Sequence, residues 1–198
     1  MARPIAYDRE QVVAAAARKF WEGGFDGCDI DTLTRSSGLN RHSLYKAFGG
    51  KNGLFLDALR FYVEKVAHDY VTTLEGSEGL DGIVSYFELA TGVICDAKGY
   101  DGRGCLITNT VIELGRSNRA VSDIVDRYYA RIERAFADLI RRGQDDGTIR
   151  RGLDPQATAQ WLRLTSQGMS VSARNGAVPA DLANIVRAAL AEREERPA

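Results

Sequence analysis

SSGLNRHSLYKAFGGK, residues 36–51, decides how the rest of the chain is read. It holds Arg41, His42, Lys46 and Lys51, two turns punctuated by glycine, and no carboxylate. Over the whole chain, by contrast, 26 Lys and Arg stand against 27 Asp and Glu. Before it, a short helix is expected from about Asp29, which can cap, to Ser37, with Ile30 and Leu33 inward, and Gly38 supplies the turn. Asn40 is a good N-cap for a second short helix that ends at Gly49 and Gly50. A short helix, a glycine-bearing turn and another short helix make a helix-turn-helix pattern. At about 100° per residue, Leu44, Ala47 and Phe48 fall on one side of that second helix and face inward. His42 and Lys46 fall on the other, flanked by Arg41 and Tyr45, with Ser43 near the edge.

The outward face is a set of hydrogen-bond donors. A DNA major groove of roughly 12 Å admits a helix of this kind, and its base edges are read by Arg, Asn, His or Lys. Asn40 sits beside the unpaired backbone N–H groups of a helix start, a natural phosphate seat. Tyr45 adds a phenolic donor, and Lys51 opens the next helix, where an anion is again welcome. Phosphate would repel acids placed here, which accounts for their absence. The plainer alternative is the solvated face of a small bundle with no partner, because the helix-turn-helix shape alone is a weak signal.

Outward from this stretch the composition narrows the class. The chain has 198 residues, 44% of them hydrophobic, and a formal net charge of -1. That is enough for one or two domains with real cores, and any polyanion site must be local. No apolar run approaches the roughly 18 residues that cross a bilayer, and MARPIAYDRE lacks the apolar centre of a signal peptide. These features read as a soluble cytoplasmic protein. Three cysteines (Cys28, Cys95, Cys105) and two histidines (His42, His68), without metal-ligand spacing, argue for reduced thiols and against a zinc site. No metal and no cofactor is expected.

The remaining segments have helical periodicity. Residues 8–22 begin with Asp8 as N-cap and place Val13, Ala16, Ala17 and Phe20 on one side. Residues 51–74 carry Leu54, Ala58, Phe61, Tyr62 and Val66 as one helix. After the loop EGSEGLDG, residues 83–97 repeat the pattern with Ile83, Phe87, Ala90 and Ile94. Another helix runs from Cys105 to about Leu114. Residues 119–142 show the clearest stripe, Val121, Ile124, Tyr128, Ile132, Phe136 and Leu139. Asp154-Pro155 is a cap with proline at the first helical position. Pro179 opens a last helix with Leu182, Ile185, Val186, Ala189 and Leu190 on one stripe. No strand shows convincing alternation. The predicted fold is all-α, with about nine helices.

REQVVAAAARKFWEGGFDGCDIDTLTRSSGLNRHSLYKAFGGKNGLFLDAL resembles the N-terminal domain of TetR/AcrR-type transcriptional regulators. The matching features are the alanine-rich first helix ending in Phe20 and Gly24-Phe25, Ile30 and Leu33, then Gly38-Leu39-Asn40. Leu44-Tyr45, Phe48, Lys51 and Leu54 complete them. Two positions depart from the pattern. Cys28 replaces the usual threonine, and Asp29 stands where serine or threonine is common, so a phosphate contact from that corner is in doubt. The resemblance implies a helix-turn-helix DNA-binding domain over residues 1–50 and a helical effector-binding and dimerisation domain over 51–198. It implies a homodimer on a palindromic operator, with Arg41, His42 and Lys46 toward bases and Asn40, Ser43, Tyr45 and Lys51 on the backbone. Most of the family repress transcription and let go when a small molecule enters the C-terminal domain.

For that C-terminal domain the resemblance implies architecture more than chemistry. The helices at 155–174 and 179–194 would pair with their copies. A pocket would draw on Tyr62, Phe87, Glu113, Tyr128, Trp161 and Gln167, each with a plainer reading as core or interface. A buried Glu113 would favour a cationic ligand, since an unpaired buried carboxylate is costly. Cys105 follows GYDGRG and starts a helix, where N–H groups and Arg103 favour a thiolate. RGCLITNTVIEL is similar to a segment of family members that sense electrophiles or oxidants through a cysteine there. The alternative is a small residue packing a tight helix start. Cys28 and Cys95 read as packing residues. Two other classes compete: an all-α enzyme using Cys105 with His68 or Glu113 as base, and a helical module that dimerises without nucleic acid.

Overall fold

The computed structural model describes residues 7–95, 102–177 and 181–192, with the backbone alone for 92–95. Among the described residues there are ten α-helices and no named strand, only an isolated bridge between Ile149 and Ala191. The helices are α1 (Arg9–Gly23), α2 (Ile30–Ser37), α3 (Arg41–Phe48), α4 (Lys51–Phe61) and α5 (His68–Glu75). They continue with α6 (Gly79–Cys95), α7 (Leu106–Leu114), α8 (Arg119–Asp145), α9 (Pro155–Arg174) and α10 (Leu182–Leu190). The chain packs as two compact units, Met1–Val66 with Leu106–Val125, and Ala67–Cys105 with Asp126–Ala198.

In the first unit α1 packs on α2, α4 and α7, and α3 packs on α2 and α4. Capping fixes where each short helix begins. Asp8 accepts from the N–H groups of Glu10 and Gln11, Asp29 from Thr32 and Asn40 from Ser43. Of the apolar positions expected to face inward, Val13, Ala16, Ala17, Phe20, Leu33, Leu44 and Leu54 are buried, whereas Ile30 and Ala47 are half-buried. Phe20 meets Phe55 edge-on at 4.8 Å between ring centroids. Buried side chains of this size each contribute roughly 1.5–3 kcal/mol by leaving water, which holds three helices too short to persist alone.

In the second unit α6 packs on α5, α9 and α10. Its core gathers Ile83, Phe87, Phe136 and Leu139, all fully buried, with Tyr86 edge-on to Phe136 at 5.1 Å. Two forks of hydrogen bonds tie the outer surface. Arg131 grips both oxygens of Glu75 at 2.7 and 2.6 Å, and Arg163 reaches Glu133 at 2.5 Å and Gln167 at 2.6 Å.

Three boundaries differ from the periodic reading. The single helix expected over 51–74 is α4, a π-helical turn at Tyr62–Val66, and α5, which brings the helices to ten. The burial pattern explains the break. Ala58 and Tyr62 are buried four apart, but the next buried residue is Ala67, five on, and Val66 is only half-buried. A spacing of five is the signature of a π turn. Helix α6 starts at Gly79 rather than near 83, and α8 runs on through Gly143 to Asp145. Gly82, inside the expected loop, and Gly143, just past the expected end of α8, are close-packing points. A Cβ at Gly82 would lie 3.2 Å from Leu139, and one at Gly143 would lie 2.6 Å from Ile149. Pro179 and the end of the last expected helix lie outside the described residues.

Candidate nucleic-acid interface and effector region

The second helix of the helix-turn-helix is set by its two ends. Gly38 adopts φ 70°, a left-handed conformation that closes α2, and Leu39 is buried in the turn. The Asn40 Oδ1 then accepts from the Ser43 N–H at 2.8 Å. With Leu44 and Phe48 buried, His42, Tyr45 and Lys46 must point outward, and all three are exposed. This is the face that the spacing predicts.

Tertiary contacts qualify several members of the set. The side-chain oxygen of Asn40 is committed to its own helix, so the carboxamide NH2 is what remains for a phosphate. Arg41 donates to Asp31 of α2 at 2.8 Å, both side chains being more than half exposed. A pair so solvated is weak and is readily exchanged for a stronger acceptor. Ser43 is half-buried. Tyr45 lies with its ring against Gly50, where an added Cβ would be 3.0 Å from the ring. Its phenol is thereby held beside the start of α4. Gly50 offers no side-chain cap there, so the first amides of α4 have no side-chain acceptor. Lys51 opens that helix, and its ammonium sits 4.3 Å from the centre of the Phe25 ring. Asp29 caps α2 through the Thr32 N–H at 2.6 Å, and that bond holds its carboxyl below the ordinary value. Cys28 is buried with its S–H donating to the Lys19 carbonyl at 3.1 Å, and burial pushes the thiol up.

The expected effector residues are not one cluster. Tyr62 belongs to the first unit, buried and edge-on to Trp21 at 5.1 Å. Glu113 also belongs to the first unit and is exposed, not buried. Its oxygens accept from the N–H groups of Phe25 and Asp26 at 2.7 Å each, so burial supplies no argument for a cationic ligand. Phe87 is fully buried against Tyr86 and Phe136. Trp161 is 40% exposed on α9. Gln167 accepts from Arg163.

Cys105 and Tyr128 do come together. Cys105 is half-buried immediately before α7. The buried phenol of Tyr128 lies within electrostatic reach of Cys105, Tyr86, Tyr129 and Tyr70. Tyr86 is buried, within electrostatic reach of the same cysteine. Burial drives both phenols well above their ordinary value, so they are neutral donors at every physiological pH. Sequence reasoning missed Tyr86, Tyr129 and Tyr70. The only signal was the pairing of aromatics at 86–87 and 128–129, which reads equally well as core. Among the described residues no group of three or more His, Cys, Asp or Glu could hold a metal ion. No described helix is long and apolar enough to cross a membrane.

Capped α2 and α3, packed against α1 and α4, have the form of a helix-turn-helix whose second helix turns an acid-free face outward. The chain belongs to the TetR family. Residues 12–58 match the model of bacterial regulatory proteins of the tetR family, and residues 79–194 match the tetracyclin repressor-like C-terminal domain. It is 27% identical over 177 residues to the HTH-type transcriptional repressor ComR of Escherichia coli, covering 88% of this chain and 83% of ComR. It is 26% identical over 162 residues to the repressor DhaR of Mycobacterium sp. strain GP1, covering 81% and 79%. A CifR cysteine triple mutant complexed with 26-base-pair operator DNA aligns with TM-score 0.80 at 26% identity, over 95% of this chain and 97% of CifR. Members of this family are DNA-binding transcription factors rather than enzymes, which removes the reading of Cys105 as a catalytic nucleophile.

Proposed function

We propose that the chain is a ligand-responsive repressor that binds a palindromic operator as a homodimer and is released by a small-molecule or electrophile effector. The observation that carries the DNA reading is the outward face of α3. His42, Tyr45 and Lys46 are exposed over a buried Leu44 and Phe48, with no acid from Arg35 to Lys51. Arg41, His42 and Lys46 read bases. Asn40, Ser43, Tyr45 and Lys51 hold phosphates, with the open amides of α4 beside them. The repressor names of ComR and DhaR, and the operator bound to CifR, support this reading. Functionally, residues 1–50 are the reading head and 51–198 the effector and dimerisation domain. The protein works in the cytoplasm, where its operator lies.

Dimerisation uses the two C-terminal helices. On α9, Trp161, Leu164 and Val171 are 40%, 57% and 45% exposed, and they share one side of the helix with Gly168, which has open space above it. Ile185 of α10 is likewise exposed. Apolar side chains aligned this way mark an interface more readily than a solvated surface. The effector acts at Cys105, whose neighbours Tyr86 and Tyr128 offer phenolic donors in a water-poor setting.

Selection of genomic fragments with the purified protein, followed by binding to the recovered site at two salt concentrations, tests the whole reading. A palindromic site bound with salt-sensitive affinity is expected. No enrichment, by protein that is reduced and stripped of small molecules, would rule the DNA reading out. Treatment with N-ethylmaleimide should release the wild type from that site and leave Cys105→Ser bound. Release of both alike would place the effector elsewhere.

A further inference from the structure

Glu113 is separated by 87 residues from the loop it touches. From the last turn of α7 its carboxylate accepts the Phe25 and Asp26 N–H groups, 2.7 Å each. Glycine at position 24 leaves room for this grip. Gly24 has φ 76°, and a Cβ there would lie 2.7 and 2.9 Å from the two Glu113 oxygens. The loop held in this way presents Phe25. That ring stacks on Phe20 at 6.2 Å and tilts against Phe55 at 4.9 Å, and its face carries the Lys51 ammonium at 4.3 Å. A chain of contacts therefore runs from Glu113 through the loop amides to the Phe25 ring and on to Lys51, all within the first unit.

We propose that Glu113 is a positioning residue for DNA binding: it fixes the α1–α2 loop so that Phe25 seats Lys51 for its phosphate. This rests on the reading of Lys51 as a phosphate contact. An acid acting only through its charge would oppose DNA, so removing it would strengthen binding. Positioning requires the opposite sign. Charge-assisted bonds to backbone amides are strong enough to hold a loop in one conformation. A freed loop lets the Lys51 side chain spread over many rotamers, whose entropy must then be lost again on binding.

The test is fluorescence anisotropy of the selected operator duplex over a series of salt concentrations, with Glu113→Gln, Lys51→Ala, the double variant and Phe25→Leu. Glu113→Gln should bind roughly fivefold to tenfold more weakly per subunit, the loss of about one good hydrogen bond. Its salt dependence should flatten toward that of Lys51→Ala, about 0.9 in slope for each phosphate no longer neutralised. The double variant should be no weaker than Lys51→Ala alone. Phe25→Leu, which keeps the amides and loses the ring face, should flatten the slope in the same way. This second variant also settles the matter if Glu113→Gln folds poorly.

Tighter binding by Glu113→Gln would overturn the proposal. So would a loss that adds fully to that of Lys51→Ala with an unchanged slope, the mark of a merely structural role. Wild-type binding and slope in Phe25→Leu would overturn it too. If Lys51→Ala binds as wild type, the phosphate reading of Lys51 itself fails, and the proposal fails with it. If Lys51→Ala weakens binding while Glu113→Gln and Phe25→Leu do not, only the positioning role is lost.

Discussion

The two packing units carry their chemistry in opposite places. In the first, the candidate contacts His42, Tyr45 and Lys46 stand on the surface of a small, mostly apolar core. In the second, the polar groups that matter, Tyr86, Tyr128 and their neighbour Cys105, are in or at the edge of the interior. The contrast separates two ways of building a site. A surface site acts on a partner that comes to it, so its residues change without disturbing the core. An interior site is part of the packing, so changing it alters stability and response together. The grip of Glu113 on the Phe25 loop is a third case, a surface contact whose geometry depends on a helix far along the chain.

The comparison can be broken most forcefully through the cores. Phe20→Ala in the first unit and Phe136→Ala in the second should each cost about 3–5 kcal/mol, since both rings are fully buried. Thermal unfolding followed by circular dichroism would report it. If the units unfold independently, each substitution shifts its own transition. A single shared shift would show that the units melt together and would weaken the contrast between them.

Next in size are the surface donors, which should leave that melt almost unmoved. His42→Ala should cost about 1–3 kcal/mol of discrimination between the operator and a scrambled duplex. Lys51→Ala should weaken binding to both duplexes equally and flatten the salt dependence. Competition binding with the two duplexes decides it, and identical behaviour of the two variants would erase the division between base and phosphate contacts.

Tyr86→Phe probes the interior site. Removing a hydroxyl from a buried tyrosine should cost about 0.5–1.5 kcal/mol in stability. It should also change the rate at which Cys105 reacts with N-ethylmaleimide. A changed melt with an unchanged thiol rate would reduce Tyr86 to packing.

The smallest effect belongs to the Glu75–Arg131 fork. Arg131 holds the Glu75 carboxyl below its ordinary value, chiefly by hydrogen bonding. A carboxylate whose folded pKa is depressed stabilises the protein above its unfolded pKa of about 4.3, and that stabilisation disappears as the pH falls through the folded value. Both partners are about 40% exposed, so Glu75→Gln should cost only about 0.2–1 kcal/mol at neutral pH. It should cost nothing near pH 2, as measured by urea denaturation at the two pH values. An equal cost at both would mean that shape, not charge, makes the contact.

What was legible beforehand follows from what is local. Asp8, Asp29, Asn40 and Asp154 were recognisable as caps because capping involves only the next two or three residues, and each accepts those N–H groups in the structure. The outward set on α3 was legible for the same reason: a period of 3.6 assigns faces without reference to the rest of the fold. The break at Tyr62–Val66 shows itself only as a spacing of five in the burial pattern, and burial is not written in the sequence. The partner of Glu113 was not legible because an acid amid TNTVIEL has no local clue to it. The loop that employs it lies 87 residues earlier.

The sequence by itself determined the all-helical class, the helix-turn-helix, its caps and the donor face of α3, because each is dictated by chain geometry within a few residues. Only the tertiary structure decided that Glu113 serves the Phe25 loop, that Lys51 rests on Phe25, and that Cys105 keeps company with Tyr86 and Tyr128. Those contacts join segments far apart in the chain. Their partners are chosen by which helix faces bury the most apolar surface together, a choice that belongs to the packed molecule and to no single stretch of it.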